Sequence, residues 1–160
     1  MCTGAFLEVF MFSGQDFSQQ KVIIKNDGFW PDLDLSEFQV ERAMSPNINA
    51  RLLRDAVVSA VVEINLTLEQ YKKTQISNGV NTASKCGVVS VDDISSTVII
   101  YKKAVFARAK ADLVGEFVSI ASRDDKLGES QKEMQAALLA ESTREIRKLL
   151  GLRRCGIAII

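Results

Sequence analysis

The stretch ARLLRDAVVSAVVEINLTLEQYKKTQ, residues 50–75, carries the strongest periodicity in the chain. Leu53, Val57, Ala60 or Val61, Ile64, Leu68, Tyr71 and Gln75 step by three and four, which puts a stripe on one helical face. Asn49 is placed to cap this helix and Asn78-Gly79 to stop it. At about 1.5 Å per residue it runs about 39 Å, so it needs partners along its whole length.

Upstream, Asp34 caps a short helix that begins at Leu35, and Glu37 three residues on gives the pattern of a capping box with Asp in the place of Ser or Thr. Leu35, Phe38 and Met44 supply its apolar side, and Ser45-Pro46 ends it. Before it, Asp27-Gly28 and Pro31 hold Phe29 and Trp30 in a non-helical segment. Residues 1–26 have no helical period, and Lys21–Lys25 is their one strand-like run, so this part reads as an extended arm.

Downstream, residues 80–92 read as a long loop with room for a short strand. A further helix starts near Ser95, capped by Asp93 or Ser95, with Ile99, Phe106, Leu113, Phe117 and Ile120 as its stripe. Residues 122–128 form a polar turn. Residues 129–150 form another helix, with Met134, Leu138, Ile146 and Leu149 apolar, acids near its start and Arg144, Arg147 and Lys148 near its end, the order that the helix dipole favours. Gly151 closes it, and Leu152 to Ile160 is an apolar, strand-like tail. The expected fold is therefore all-α: a bundle of about four helices over residues 35–151, an extended N-terminal arm over 1–34 and a C-terminal tail over 152–160.

Composition narrows the function. The chain has 160 residues, 47% of them apolar, which suits one domain. Twenty bases balance twenty acids, so there is no excess of positive charge for nonspecific nucleic-acid binding. No histidine is present, which removes the commonest general base and metal ligand. Cys2, Cys86 and Cys155 are widely spaced and form no CxxC pair, as expected of ordinary cytosolic thiols. The apolar stretch from Ala5 to Phe12 is interrupted by Glu8, lacks a preceding base and is far too short to span a bilayer. The expected setting is a bacterial-type cytoplasm, or an assembly built inside it, with no membrane and no cofactor.

Val22-Ile23-Ile24-Lys25-Asn26 leading into Phe29-Trp30-Pro31-Asp32-Leu33-Asp34, then Arg51-Leu52-Leu53-Arg54-Asp55-Ala56, Tyr71-Lys72-Lys73, Val91-Asp92-Asp93, Tyr101-Lys102-Lys103-Ala104-Val105 and Arg153-Arg154-Cys155 follow one another in order. This layout resembles the head completion (head stabilisation) proteins, the GPL family, of temperate contractile-tailed phages, from about Lys21 onward. None of these pieces is a catalytic signature, and it is their order and spacing together that carry the resemblance. It implies a virion protein of the neck, a helical adaptor that joins the portal after DNA packaging, stabilises the filled head and prepares tail attachment. It further implies rings of about twelve copies, with a head-tail stopper or tail-terminator protein as the next partner and DNA passing through the lumen.

Against that background, Phe29, Trp30, Pro31 and Asp32 are expected either to anchor a neighbouring subunit or to cover the end of their own bundle. Arg153 and Arg154 root a tail whose Ile157, Ile159 and Ile160 suit addition to a partner's sheet edge; the alternative is pairing with the chain's own Val22 to Ile24. Lys102, Lys103, Arg108 and Lys110 are the candidates for facing DNA in a ring lumen. Residues 1–50 hold seven acids and three bases, and residues 101–160 eight acids and twelve bases, a polarity that suits head-to-tail contacts or, more simply, local ion pairs. Glu63 and Glu69, or Asp92-Asp93, are the carboxylates an acid and base pair would use; the simpler reading makes them solvent-facing, turn and cap residues. A helical DNA-binding or regulatory module using the same basic residues is the competing function, and a Ser-Lys enzyme has no motif to locate it.

Overall fold

The computed structural model describes residues 22–45, 47–121 and 125–153, with side chains outside 117–127. In chain order they form β1 (Ile23–Ile24), β2 (Leu33–Asp34), α1 (Leu35–Glu41), α2 (Ala50–Thr67), α3 (Glu69–Ser77), a 3-10 turn at Ala83–Lys85, β3 (Ser90–Val91), β4 (Ile94–Ser95), α4 (Ser96–Ala121) and α5 (Asp125–Leu149). The molecule is mostly helical, as expected, but with five helices among the described residues and two small antiparallel sheets in addition.

The caps fall largely where the sequence puts them. Asn49 Oδ1 accepts from the Arg51 amide at 2.8 Å, and Asp34 Oδ1 accepts from the Ser36 amide at 2.9 Å. The Glu37 carboxylate takes two 2.7 Å hydrogen bonds from Lys102 Nζ, a charge-assisted contact that ties α1 to α4. At both expected stops a glycine takes positive φ: the Val80 amide reaches Gln75 O at 3.0 Å past Gly79, and the Leu152 amide reaches Arg147 O at 2.8 Å past Gly151. Each satisfies carbonyls that the ending helix leaves unpaired.

The long periodic segment folds as two helices rather than one. Leu68 sits at φ −96°, ψ 8° between α2 and α3, and the Thr67 hydroxyl bonds back to Glu63 O at 2.9 Å, a contact that bends helices. The buried stripe nevertheless runs on through Leu53, Val57, Ala60, Val61, Ile64 and Leu68. The loop after α3 is more ordered than its sequence suggests. Asp92 and Asp93 both take positive φ, 48° and 62°, and turn β3 into β4 as a mirror-image two-residue hairpin. Ser95 then caps α4: its hydroxyl accepts from the Val98 amide at 3.4 Å and donates to Ala83 O at 3.0 Å.

Helix α4 corrects the expected narrow stripe. Val98, Tyr101, Ala104, Val105, Phe106, Ala107, Ala109, Ala111 and Leu113 are all buried, whereas Ile99 is 42% exposed. A helix with neighbours on several sides buries apolar positions over a wide arc, and its alanines let those neighbours approach. Helix α2 packs on one side of it and α5 on another. Helix α5 begins at Asp125, so the polar turn is shorter than expected and Gly128 lies inside the helix. Its buried side is Ser142, Glu145 and Leu149, with Met134 half-exposed.

Of the expected arm, residues 22–34 fold back onto the bundle. Ile23 and Ile24 pair with Asp34 and Leu33, and Phe29, Trp30 and Leu33 join the core. Residues 1–21 lie outside the described residues, as do Arg154, Ile157, Ile159 and Ile160 of the expected tail.

Gly87 ties the loop to the start of α4. Its φ is +102°, and a Cβ there would sit 2.7 Å from Ser96 Oγ and 3.0 Å from Thr97 Oγ1. Gly87→Ala is expected to lose about 1–3 kcal/mol in urea unfolding through strain and crowding together; unchanged stability would refute that close approach.

Candidate functional site

Three of the segments that carry the family resemblance, 22–34, 71–73 and 101–105, far apart in sequence, meet at one end of the bundle. Trp30 stacks on Tyr101 with ring centroids 4.3 Å apart and planes 7° from parallel, and on its other side faces Tyr71 at 6.0 Å and 18°. Phe29 meets Trp30 edge-on at 5.0 Å. Phe29 and Trp30 are 4% and 2% exposed. Both belong to the core cluster of their own bundle. A stacked and edge-on aromatic cluster gains both buried area and ring electrostatics, which holds the rings inward. The indole Nε1 of Trp30 is buried with no hydrogen-bond partner among the described residues.

A polar frame holds this cluster. Tyr101 donates its hydroxyl to Asn65 Oδ1 at 2.7 Å, Asn65 Nδ2 donates to Asn26 Oδ1 at 2.9 Å, and Asn26 Nδ2 donates back to the Tyr101 hydroxyl at 3.0 Å. The three groups satisfy one another in a closed ring, so burying them is tolerable. Burial pushes the Tyr101 hydroxyl far above the usual tyrosine range, keeping it a neutral donor. Asp27 Oδ1 accepts the Phe29 and Trp30 amides, each at 3.1 Å, while Lys72 Nζ donates to its other oxygen at 2.7 Å. Partial burial raises the Asp27 pKa, but Lys72 and the two amides outweigh it and leave it below the ordinary carboxylate value. Asp32 is exposed and takes Lys25 Nζ at 2.7 Å and the Asn26 amide at 2.9 Å. Sequence reasoning singled out the aromatics but not Asn26, Asp27 and Asn65 as their frame; the Asp27-Gly28 turn was its one signal.

The four basic residues considered for DNA are directed at the chain's own helices. Lys102 holds Glu37 of α1, Arg108 Nη2 lies 2.8 Å from Glu63 of α2, and Lys110 Nζ donates to Arg42 O at 2.7 Å. Lys103, the most exposed of them, lies 4.0 Å from Glu141 and 3.9 Å from Glu145 of α5. A central helix offers polar positions toward each neighbour, and these cations act as struts to all of them. Arg42 adds one that sequence reasoning missed: its Nη1 lies 3.2 Å from both Glu141 oxygens and its Nη2 donates to Lys103 O at 2.8 Å.

Catalytic arrangements do not emerge from the carboxylates. Glu63 pairs with Arg108, Glu69 pairs with Lys73 at 2.6 Å, and Asp92-Asp93 form the hairpin turn. Among the described residues no three His, Cys, Asp or Glu side chains gather as a metal site, and no helix is long and apolar enough to cross a membrane. A cleft of about 370 Å³ opens between α1 and α4, lined by Glu37, Glu41, Arg42, Ile94, Ile99, Lys102 and Lys103. Its charged walls are largely the struts already described. Burial first, then repulsion from Glu37, raises the Glu41 pKa against the pull of Lys102 and Arg42.

Among the described residues, exposed apolar side chains gather most closely at the hairpin and along α2. Val88, Val89, Val91 and Ile94 are exposed around the hairpin, and Val58, Val62 and Leu66 form a second stripe on the outer side of α2. Exposed apolar strips of this kind are the class of surface on which proteins pack together. More specifically, the chain belongs to the phage head completion protein (GPL) family, whose family model matches residues 24–160. It is 33% identical to a probable head completion/stabilization protein of Haemophilus phage HP1 over 150 residues, covering 94% of this chain and all of that one. It is 26% identical to the head completion/stabilization protein of Escherichia phage P2 over 140 residues, 86% of this chain and 83% of the other. No solved structure matches the chain significantly. The family is a structural one rather than an enzyme family, and a head completion protein is a component of the virion.

Proposed function

We propose that the protein is a neck adaptor. Copies dock side by side as a ring on the portal once DNA is packaged, stabilise the filled head and form the platform that a stopper or tail-terminator protein joins. Assembly takes place in the host cytoplasm and needs no cofactor. The family match from residue 24 to residue 160 carries this reading. The ring, of about twelve copies, follows from the resemblance to neck adaptors on symmetric portals. A portal that gathers copies at high local concentration turns weak lateral contacts into effective ones, which keeps free subunits apart until the template exists. DNA crosses the lumen without sequence readout. Pairing of Lys102, Arg108 and Lys110 within the chain supports a lumen that does not grip it.

Native mass and negative-stain imaging, with the protein alone and mixed with the portal of the same phage, test the proposal. A monomer or small oligomer that becomes a collar on the portal supports it. A protein that ignores the portal, and instead binds duplex DNA with affinity falling steeply with salt, would favour the regulatory module. The tail gives a separate prediction: removing Gly156 to Ile160 leaves the bundle folded by circular dichroism and abolishes stable portal association, through loss of a strand seeking an edge. Portal binding at unchanged affinity would refute that role for the tail.

A further inference from the structure

We propose that residues 154–160 of the free subunit fold back into the cleft between α1 and α4 and leave it when the portal takes them; the release rests on the role given to the tail above, the docking does not. The cleft has two apolar side chains, Ile94 and Ile99, 46% and 42% exposed. Of its five charged ones, Lys102 and Glu37 hold each other, Arg42 holds Glu141, and Lys103 lies 4.0 Å from Glu141 and 3.9 Å from Glu145. Glu41 is left without a hydrogen bond or ion pair among the described residues. Burial first, then Glu37, opposes its ionised form, so a cation brought beside it is favourable. A segment with one base and several aliphatic side chains matches this lining.

The segment that follows α5 has that composition and starts beside the cleft. Residues 154–160 read RCGIAII: one base, no acid and three isoleucines. Arg42 and Lys103, both in the lining, reach Glu141 of α5, so the last turns of α5 run along the flank of the cleft. Helices α4 and α5 are antiparallel, as Lys103 approaches Glu141 and Glu145 while a Cβ on Gly115 would touch Gln135. Helix α5 therefore ends beside the start of α4, where Ile94 and Ile99 lie. The Leu152 amide on Arg147 O and Arg147 Nη2 on Arg153 O hold the chain there as far as Arg153. From Glu141 to Leu149 the helix covers about 12 Å, whereas seven extended residues span about 23 Å. A segment that turns back after Arg153 thus has the length to lie along the whole cleft.

In the docked state Arg154 extends toward Glu41, and Gly156, with its conformational freedom, lets the chain reverse and bring Ile157, Ile159 and Ile160 over Ile94 and Ile99. The tether raises the local concentration of the segment, so a small apolar contact is enough to form. The contact is also weak, and a portal that offers these residues a strand edge as well as burial takes them away. Kept in the cleft until then, the isoleucines neither face water nor pair with the same segment of another free copy.

The test uses the full chain with Cys2→Ser, so that Ile99→Cys has Cys155 as its accessible partner; Cys86 is buried. Diamide treatment of the dilute free protein should close an intramolecular disulfide, read as an intact mass two hydrogens lower. Its yield should be about tenfold above that of Val62→Cys, exposed on the outer side of α2. Glu41→Lys, at an exposed position, should keep the melting temperature and cut the yield several-fold by repelling Arg154. The closed subunit should fail to join the portal until a reductant opens it. Equal yields from positions 99 and 62, a yield untouched by Glu41→Lys, or disulfide-linked dimers made with a neighbour's tail would each overturn the docking and leave the adaptor reading standing. A closed subunit that joins the portal like the parent would overturn the release. A parent that ignores the portal would overturn the adaptor reading and the release with it, while the disulfide still reports the docking.

Discussion

Replacing Trp30 by alanine is expected to lower the stability of the isolated protein by about 3–5 kcal/mol, the range for deleting a large buried aromatic. That is a large share of the roughly 5–15 kcal/mol that holds a typical domain together. Three things are lost at once: stacking on Tyr101 and Tyr71, the edge contact of Phe29, and the volume that closes this end of the bundle. The cavity cannot readily collapse, because Tyr101 is fixed by Asn26 and Asn65 and the backbone of residues 29 and 30 by Asp27. Trp30→Phe should cost far less, about 1 kcal/mol: it keeps a stacked ring and removes a buried N–H that has no partner among the described residues. Urea unfolding of both variants, with the midpoint for Trp30→Ala shifted strongly down, is the check. A loss below about 1 kcal/mol for Trp30→Ala would mean that the ring does not close the bundle and would return it to the list of partner contacts.

How much of this was legible depends on the range over which each signal acts. Asp34, Asn49, Gly79 and Gly151 act on their own neighbours, and they were read correctly as helix starts and stops from sequence alone. The stripe from Leu53 to Leu68 was equally legible, because its period is local. The break at Leu68 was not, since the apolar steps continue across it and the bend comes from a hydroxyl turning back to its own helix. Helix α4 was read with too narrow a stripe: its alanines carry no period, and only the packing of neighbours on several sides makes them core. The hairpin at Asp92-Asp93 was missed as an element, although the dipeptide was read as a turn, because two-residue strands leave no alternation to see. The basic residues show the limit most clearly. Lys102 finds its acid 65 positions away, and Arg42 finds Glu141 at a separation of 99. A cation on a helix looks the same in sequence whether it faces DNA, solvent or an acid brought near by folding. The pieces that suggested the family were visible one by one; that Asn26, Trp30, Tyr71 and Tyr101 form one cluster depended on how three segments pack.

Arg42→Met is expected to destabilise the protein by about 2–3 kcal/mol, below the range for breaking a fully buried pair because this one keeps some solvent. The side chains of Arg42 and Glu141 are 13% and 21% exposed. The substitution leaves Glu141 with Lys103 at 4.0 Å as its remaining cation and leaves Lys103 O without the Nη2 donor. The effect exceeds that of an ordinary ion pair because of what Arg42 connects. It follows α1 directly, reaches α5 through Glu141 and α4 through Lys103 O, and its own carbonyl receives Lys110. Short helix α1 is thereby clamped over the core that Leu35 and Phe38 enter. Arg42→Lys should recover only part of the loss, since a single ammonium cannot serve a carboxylate and a carbonyl at once as the planar guanidinium does. A double-mutant cycle with Glu141→Gln should give a coupling of about 1–2 kcal/mol. Coupling near zero, with Arg42→Met as stable as the parent, would mean that α1 is held by its apolar side alone, and that the charged contacts across α1, α4 and α5 follow the packing rather than fix it.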